Sequence, residues 1–465
     1  MLEEGIDSLG AAVRARPDDP LLLAELADAV FTSGRVSEAI DLLRRALAIK
    51  PHLEIQGQLL FVMNHEALDP VEIASEHALW GRRLTASLPP RPLPSFPNDP
   101  DPRRQLRVGY VVDSFRRQTV ASFLEPLLEA HDREAFDIVR YQTAEMGSDR
   151  RLSNAIRRDR IDILVDLAGH TEGHRLRVFA QRAAPVQVTY LGYPNTTGLE
   201  QMDYRITDTI ADPPGLTRHL HTERLLRLPR CFLAYRPRDS VAAVERVAAE
   251  PFTFASFCRP CKLSEGTVMA WAEILRRAPA SRLLLHHQAM RPFRKKTAQF
   301  IEREIRGRFT PLGVEASRIE FVGRLGLRRH FELYQHVDLC LDPFPYNGTT
   351  ALCEGLWMGV PAVALEGSAH VSRVAASVLG ATGLGEFVCG SAPDYVATAV
   401  RWSRRPARLR QLRAGMRARL AQSELMDGAG LARAIEREYR RIWRRYCGFG
   451  AAGPDRGAWP SGGSR

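Results

Sequence analysis

The sequence predicts an α/β protein in which two doubly wound parallel sheets follow one another, preceded by a short all-α segment. Three observations carry that prediction. From Leu106 to about Leu379, short β-branched and aromatic runs alternate with helical stretches, the pattern of parallel β-α units. A run of prolines from Pro89 to Pro102 separates this region from the N-terminal part of the chain. The N-terminus, set against itself at an offset of 34, pairs Ile6 with Ile40, Leu9 with Leu43, Ala12 with Ala46 and Pro17 with Pro51.

That period belongs to tetratricopeptide helix pairs. The full unit runs from about Asp19 to Lys50, with Ala24, Ala27, Gly34, Ala39 and Ala46 at its small packing positions. About one and a half repeats are present, fewer than the three or so that stand alone, so the segment is expected to dock on the α/β region C-terminal to it. Helical stretches from Ile55 to Leu84 continue it. The expected organisation is a tetratricopeptide-like segment over 1–88, a stiff linker over 89–102, a first Rossmann-like domain over 103–240 and a second over 241–395, then arginine-rich helices over 396–447 and a disordered tail over 448–465.

In the first domain, strands are expected at Leu106 to Val112, Phe136 to Tyr141, Ile161 to Leu167, Val186 to Leu191 and Tyr204 to Thr207, with a turn from Asp113 to Thr119 and a helix from Ala121 to His131. The second series has strands at Phe252 to Phe257, Arg282 to His286, Ile319 to Val322, Leu339 to Leu341 and Ala362 to Leu365, with helices from Thr267 to Arg277 and Arg373 to Leu379. A linker is expected near Arg236 to Glu250. Two such sheets leave a cleft, and ligands bind beyond the carboxyl ends of their strands.

At 465 residues and 45% hydrophobic content the chain can fill several cores. No apolar run approaches the roughly 20 residues of a membrane span, and the acidic start Met-Leu-Glu-Glu is unlike a signal peptide, so a cytoplasmic location is expected. Seven cysteines, mostly in apolar runs, suit reduced thiols, and Cys258-Arg-Pro-Cys261 lacks the second pair a zinc site needs. The net charge of +11 is concentrated between Arg401 and Cys447, where fourteen arginines face four acids. Their helical spacing favours a solvated helix face over a nucleic-acid or acidic-lipid patch, so neither nucleic acid nor membrane is an expected partner.

Several loops at predicted strand ends carry chemistry. Asn347-Gly-Thr-Thr350 precedes a helix whose unpaired amides and dipole favour an anion such as a nucleotide diphosphate, with Glu354 one turn in, within reach of a ribose; an ordinary capped helix is the plain alternative. Lys262, just before a helix, can neutralise a departing phosphate or be a surface lysine. Ser372 and Arg373 can add a phosphate contact, or Ser372 can simply cap. His170, in the loop Gly169 to Gly173, can act on an acceptor hydroxyl or hold a sugar, or be structural. Tyr193-Pro194 lies in the rigid turn Gly192 to Gly198. No metal constellation is apparent.

Asp166-Leu-Ala-Gly-His-Thr171, Ala184-Pro-Val-Gln-Val-Thr-Tyr-Leu-Gly-Tyr-Pro-Asn-Thr-Thr-Gly198, Met202-Asp-Tyr-Arg-Ile-Thr-Asp208, Asp342-Pro-Phe-Pro-Tyr-Asn-Gly-Thr-Thr350 and Cys353-Glu-Gly-Leu-Trp-Met-Gly-Val-Pro361 resemble the catalytic region of O-GlcNAc transferases, above all the bacterial and plant Spindly-type relatives. The resemblance covers roughly Leu53 to Cys447. It implies a GT-B fold of two Rossmann-like domains and an inverting, metal-independent transfer of a sugar, GlcNAc from UDP-GlcNAc, to Ser/Thr hydroxyls of a protein or peptide acceptor presented by the tetratricopeptide repeats. No cofactor beyond the nucleotide sugar is implied.

By position, Lys262 matches the lysine on the donor diphosphate, Thr349 and Thr350, with Asn347 and Gly348, the phosphate-binding loop, and Glu354 the acid on the ribose. His170, Tyr193, Pro194 and Thr197 match the acceptor side. Gln118 stands where the family usually has a histidine in a turn read as Asp-Phe-Arg-Arg-His, and a glutamine holds a hydroxyl without taking its proton. Cys258-Arg259 replaces the usual amide side chains ahead of Lys262. The alternatives are another donor, GDP-fucose or UDP-glucose, or a catalytically impaired tetratricopeptide interaction protein.

Overall fold

The computed structural model describes residues 2–89, 95–115, 118–238, 251–286 and 295–448, without the side chains of Gln118, Thr119 and Lys295. Part of the expected Pro-rich linker, most of the expected linker near Arg236 to Glu250 and nearly all of the expected tail lie outside the described residues. The chain divides into two compact units. Met1–Ile73 and Pro237–Met426 form one, Ala74–Arg236 and Asp427–Arg465 the other.

Among the described residues, twelve strands form two six-stranded sheets, every neighbouring pair parallel. The first, in the unit that begins at Ala74, contains β1 (Leu106–Val112), β2 (Phe136–Gln142), β3 (Ile163–Asp166), β4 (Val186–Thr189), β5 (Tyr204–Asp208) and β6 (Arg224–Leu228), in the order β2-β1-β3-β4-β5-β6. Every residue of β3, β4 and β5 is buried, and among them the polar side chains of Gln187, Arg205 and Asp208 make hydrogen bonds inside the unit. The helix Gly428–Gly448 closes the unit: Tyr439 Oη lies 3.1 Å from Tyr110 Oη, and Glu436 lies 2.8 Å from His131 Nδ1.

The second sheet contains β7 (Phe252–Ser256), β8 (Ser281–His286), β9 (Ile319–Val322), β10 (Leu339–Leu341), β11 (Ala362–Leu365) and β12 (Val388–Cys389), in the order β12-β11-β10-β7-β8-β9. In both sheets the order reverses once, between β1 and β3 and between β7 and β10. These reversals open crevices at the carboxyl ends of the flanking strands.

The unit with the second sheet carries the helical segment, Leu2–Ala15, Pro20–Ser33, Val36–Ile49 and Leu53–Met63. Asp19 starts the second helix, accepting hydrogen bonds from the Leu21 and Leu22 amides ahead of Pro20, and Gly34 ends it at φ 97°. Ala27, Ala39 and Ala46 are fully buried, and the core they build includes Cys261 from the loop after β7. A Cβ on Gly34 would stand 3.1 Å from the Pro260 carbonyl oxygen. The segment is docked, as its repeat number requires.

Some elements differ from expectation. β6, Arg-Leu-Leu-Arg-Leu, is broken up by Arg224 and Arg227, and β12 has two residues, too few for a periodicity to register. The helix Lys295–Phe309 was hidden by its charge, although Phe300, Ile301, Ile305 and Phe309 are buried along it. β4 stops at Thr189 because Leu191, at φ 71°, turns the chain. The helix expected from Ala121 begins at Gln118, which is therefore its first residue and not part of the preceding turn.

Candidate active site

At the reversal of the second sheet, the loops after β7 and β10 meet. Ser264 caps the helix Glu265–Arg277 by accepting from the Thr267 amide, and its hydroxyl donates to the Phe344 carbonyl at 2.5 Å, as the Thr267 hydroxyl does at 2.7 Å. Tyr395 Oη donates to the carbonyl of Asp342 at 3.0 Å and is itself held by Trp271 Nε1 at 3.0 Å. These bonds fix the backbone of both loops before any ligand arrives.

Lys262 stands between them. Its Nζ donates to the carbonyl of Asn347 at 2.7 Å and lies 4.0 Å from the centre of the Tyr346 ring. Burial pushes its ammonium down to about 8, opposed by the nearby Asp342 carboxylate. Burial raises the Asp342 carboxyl to about 7, against the Gly348 amide that donates to Oδ1 at 2.8 Å and the charge of Lys262. Asp342 is 6% exposed, and its Oδ2 has no hydrogen-bond partner.

Asn347 ties three segments together. Its amide donates to Val371 O, its Nδ2 to Pro343 O, and its Oδ1 accepts from the Ala375 amide in the first turn of the helix Val374–Ala381. The Ser372 hydroxyl donates instead to Ala369 O at 2.9 Å, so Asn347, not Ser372, supplies the side-chain oxygen at that helix start. Arg373 donates to Gly367 O at 2.8 Å and pairs with Glu366 at 2.9 Å, bracing its own loop.

Thr349 and Thr350 differ from these. They open the helix Thr350–Trp357 and are partly exposed. Among the described residues neither hydroxyl takes up a partner, and Thr349 makes no side-chain cap. One turn on, Glu354 Oε2 lies 3.2 Å from His330 Nε2, leaving Oε1 unbonded. His330 Nδ1 lies 3.0 Å from His286 Nε2, and His286 Nδ1 lies 2.8 Å from Val322 O. A carbonyl only accepts, so His286 donates through Nδ1 and accepts at Nε2. His330 then donates through Nδ1, and its Nε2 faces Glu354 Oε2. Burial pushes the His286 imidazole down to about 4, consistent with its neutrality.

In the other unit, the loop after β3 is pinned by Asp166, which accepts from the Ala168 and Gly169 amides at 3.1 and 2.9 Å and from the Thr189 hydroxyl at 2.9 Å. Gly169 has φ 53°, and a Cβ there would lie 2.3 Å from Tyr193 Cβ. His170 is buried, with Nε2 2.8 Å from the Thr197 carbonyl, so that nitrogen carries the proton, and Nδ1 has no partner. Trp80 lies 4.5 Å and His77 5.1 Å from its ring, and burial, reinforced by the neighbouring His77 and His174, holds its pKa well below the ordinary value.

Tyr193 is buried with its Oη 2.8 Å from His77 Nε2. Arg205 donates to the Tyr193 and Asn195 carbonyls at 2.9 and 2.6 Å, holding the turn around Pro194. Thr197 donates through its amide, at 2.7 Å, and its hydroxyl to the fully buried Glu223, which also accepts from Thr196 Oγ1 at 2.6 Å. The helix Pro70–Ala86 lies against this turn so closely that a Cβ on Gly81 would sit 1.9 Å from Gly198 O. The side chain of Gln118 lies outside the described residues. Among the described residues no group of three or more His, Cys, Asp or Glu is placed to hold a metal ion, and no helix is long and apolar enough to cross a membrane.

The structure thus brings Lys262, Asn347, Gly348, Thr349, Thr350 and Glu354 to one crevice edge and gathers His170, Tyr193, Pro194 and Thr197 around one turn of the other unit. Comparison with known proteins gives the chain its family. The model of glycosyltransferase family 41 matches residues 144–242 and 244–434. The chain belongs to that family. The family 41 chain is 35% identical over 437 residues to a Petunia hybrida protein named probable UDP-N-acetylglucosamine--peptide N-acetylglucosaminyltransferase SPINDLY, covering 86% of this chain and 45% of that one. A Solanum lycopersicum protein of the same name is 36% identical, with the same coverage. This family 41 chain therefore spans less than half the length of these curated relatives. Among solved structures, a mutant of Thermobaculum terrenum O-GlcNAc transferase matches with a TM-score of 0.86 and 32% identity, covering 96% of this chain and 89% of that one. With its two parallel sheets, the chain has the GT-B fold of paired Rossmann-like domains.

Sequence reasoning missed Asp342, Tyr346, His330, His286 and Glu223. Asp342 had a signal, a carboxylate closing an apolar strand. The others acquire their partners only through contacts between distant segments.

Proposed function

We propose that this family 41 chain transfers a sugar from a nucleotide diphosphate donor, GlcNAc from UDP-GlcNAc, to a Ser/Thr hydroxyl of a protein acceptor, with inversion and without a metal. The observation that carries this reading is the crevice edge at the reversal of the second sheet. It holds a pre-positioned ammonium on Lys262 beside two uncommitted hydroxyls, Thr349 and Thr350, on a helix N-terminus. Together they supply the positive potential a departing diphosphate needs, where low dielectric makes it strong. Glu354, oriented by His330, offers Oε1 to a ribose hydroxyl. The names of the relatives that share 34–36% of their residues with the chain support the donor and the acceptor class.

The acceptor oxygen attacks the anomeric carbon as its bond to the diphosphate oxygen breaks, and the hydroxyl proton goes to a phosphate oxygen of the leaving group. His170 does not take that proton. Its Nε2 proton is held by the Thr197 carbonyl, its Nδ1 is buried, and its role is to shape the turn beside Tyr193. Gln118 orients the hydroxyl. A cytoplasmic location accompanies this reading.

The test is transfer of radiolabelled sugar to a Ser/Thr-rich protein substrate from UDP-GlcNAc, UDP-glucose and GDP-fucose in parallel. Incorporation from UDP-GlcNAc above the other two is expected. Incorporation from GDP-fucose alone overturns the donor assignment, and neither binding nor turnover of any donor overturns the enzyme reading in favour of an interaction protein.

A further inference from the structure

Lys262 is half-buried, and the groups around its ammonium extend beyond the residues already assigned. The ammonium of Lys262 has the Asn347 carbonyl on one side and the face of Tyr346 on another, 4.0 Å from the ring centre. On Tyr346 lies His65, stacked at 4.5 Å and 28°. His65 follows the fourth helix of the repeat segment and is 2% exposed. It is wedged edge-on against Phe31 at 5.0 Å and lies 5.2 Å from Phe61. A continuous aromatic column therefore runs from the core of the helical segment to the donor lysine, all within one compact unit.

The chemistry of the column is consistent from end to end. The Phe61 carbonyl, 3.1 Å from His65 Nδ1, fixes the proton there. Burial pushes His65 down to about 3, helped by the charges of Lys262 and Arg259, so the ring remains neutral and does not compete with the ammonium for the Tyr346 face. A ring face attracts a desolvated cation more strongly than an exposed one. The loop carrying the lysine is clamped from the same side, since Cys261 belongs to the repeat core and Pro260 packs on Gly34.

We propose that Tyr346 and His65 are positioning residues for the leaving-group lysine, through which the tetratricopeptide-like segment holds the donor site in its competent form. This deepens the transferase reading and rests on it. The segment is then part of the donor site's support as well as a surface for presenting an acceptor.

The test is UDP affinity by titration calorimetry on the full chain, for wild type, Tyr346→Phe, Tyr346→Leu and His65→Met, each with and without Lys262→Ala, with thermal midpoints recorded throughout. Tyr346→Leu should weaken UDP about tenfold and Tyr346→Phe no more than about twofold, because the ring is what acts. His65→Met should weaken it about threefold. In the Lys262→Ala background both losses should vanish, which a merely structural or direct ligand-contact role would not produce. Equal losses in the two backgrounds, or Phe as damaging as Leu, overturn the proposal. If Tyr346→Leu does not fold, Tyr346→Met and His65→Met carry the same comparison. A wild-type chain that binds no UDP defeats the UDP-donor reading and this inference together, whereas wild-type binding that survives Tyr346→Leu unchanged defeats this inference alone.

Discussion

The strand-end loops of the two sheets use similar residues, threonines, a histidine, a carboxylate and glycines, and put them to opposite use. In the loops after β7 and β10, the scaffold is held by backbone carbonyls, Ser264, Thr267, Asn347 and Tyr395, while the Thr349 and Thr350 hydroxyls, Glu354 Oε1 and Asp342 Oδ2 have no hydrogen-bond partner among the described residues. In the Gly169–Gly198 region nearly every polar group is committed. Thr196 and Thr197 go to Glu223, Tyr193 to His77, His170 Nε2 to a carbonyl and Arg205 to two. Buried polar groups that are satisfied rigidify, and those left unsatisfied beside an ammonium await a ligand. On the proposed function the first set of loops binds the donor, while the second holds a shape.

The largest effect should follow removal of the Lys262 ammonium. Lys262→Ala is expected to lower kcat/KM by roughly 10²–10³, the cost of deleting one pre-positioned donor to a developing anion, measured as UDP release with protein acceptor. A loss below tenfold would move the leaving-group role elsewhere. The opposite class of residue should respond in stability. Glu223→Gln leaves buried donors mismatched and should cost about 1–3 kcal/mol in urea unfolding, with UDP affinity of the folded fraction unchanged. Were UDP affinity to collapse without a stability change, the division between the two regions would fail.

Smaller effects sharpen the binding side. Thr349→Val and Thr350→Val should each lower donor affinity roughly fivefold without altering the unfolding midpoint, because neither hydroxyl has a partner to lose. The pH dependence has a definite sign. Lys262 is pushed down to about 8, so its charged form is lost as pH rises through that value. UDP affinity is expected to fall progressively as pH rises from about 7, where Asp342 gains its charge, through about 8, where Lys262 loses its own, well below the range where an ordinary lysine titrates. A flat profile to pH 10 would contradict the buried ammonium.

Much of this architecture was legible from residue pattern. Short runs rich in β-branched, aromatic and leucine side chains mark β1, β7, β9, β10 and β11, which were readable nearly to the residue, whereas β6 and β12 were too polar or too short. The repeat was visible in its alanines and in Gly34. The binding loop was legible because Pro343, Pro345 and Gly348 punctuate the chain just before a helix. The positions that tune it were not, since His65, Tyr346, His330 and His286 owe their roles to the stacking and hydrogen bonding of segments up to some 280 residues apart in sequence. Glu223, a lone acid before β6, carried no local mark of the threonines it binds.

The central claim, that the crevice edge at Lys262 recognises a diphosphate, is tested most directly by titrating the wild-type chain and Lys262→Ala with UDP and with uridine. The account predicts that UDP binding weakens about a hundredfold in the variant while uridine binding, which engages only the ribose and base, is unchanged. Equal weakening of both ligands, or of neither, would contradict it.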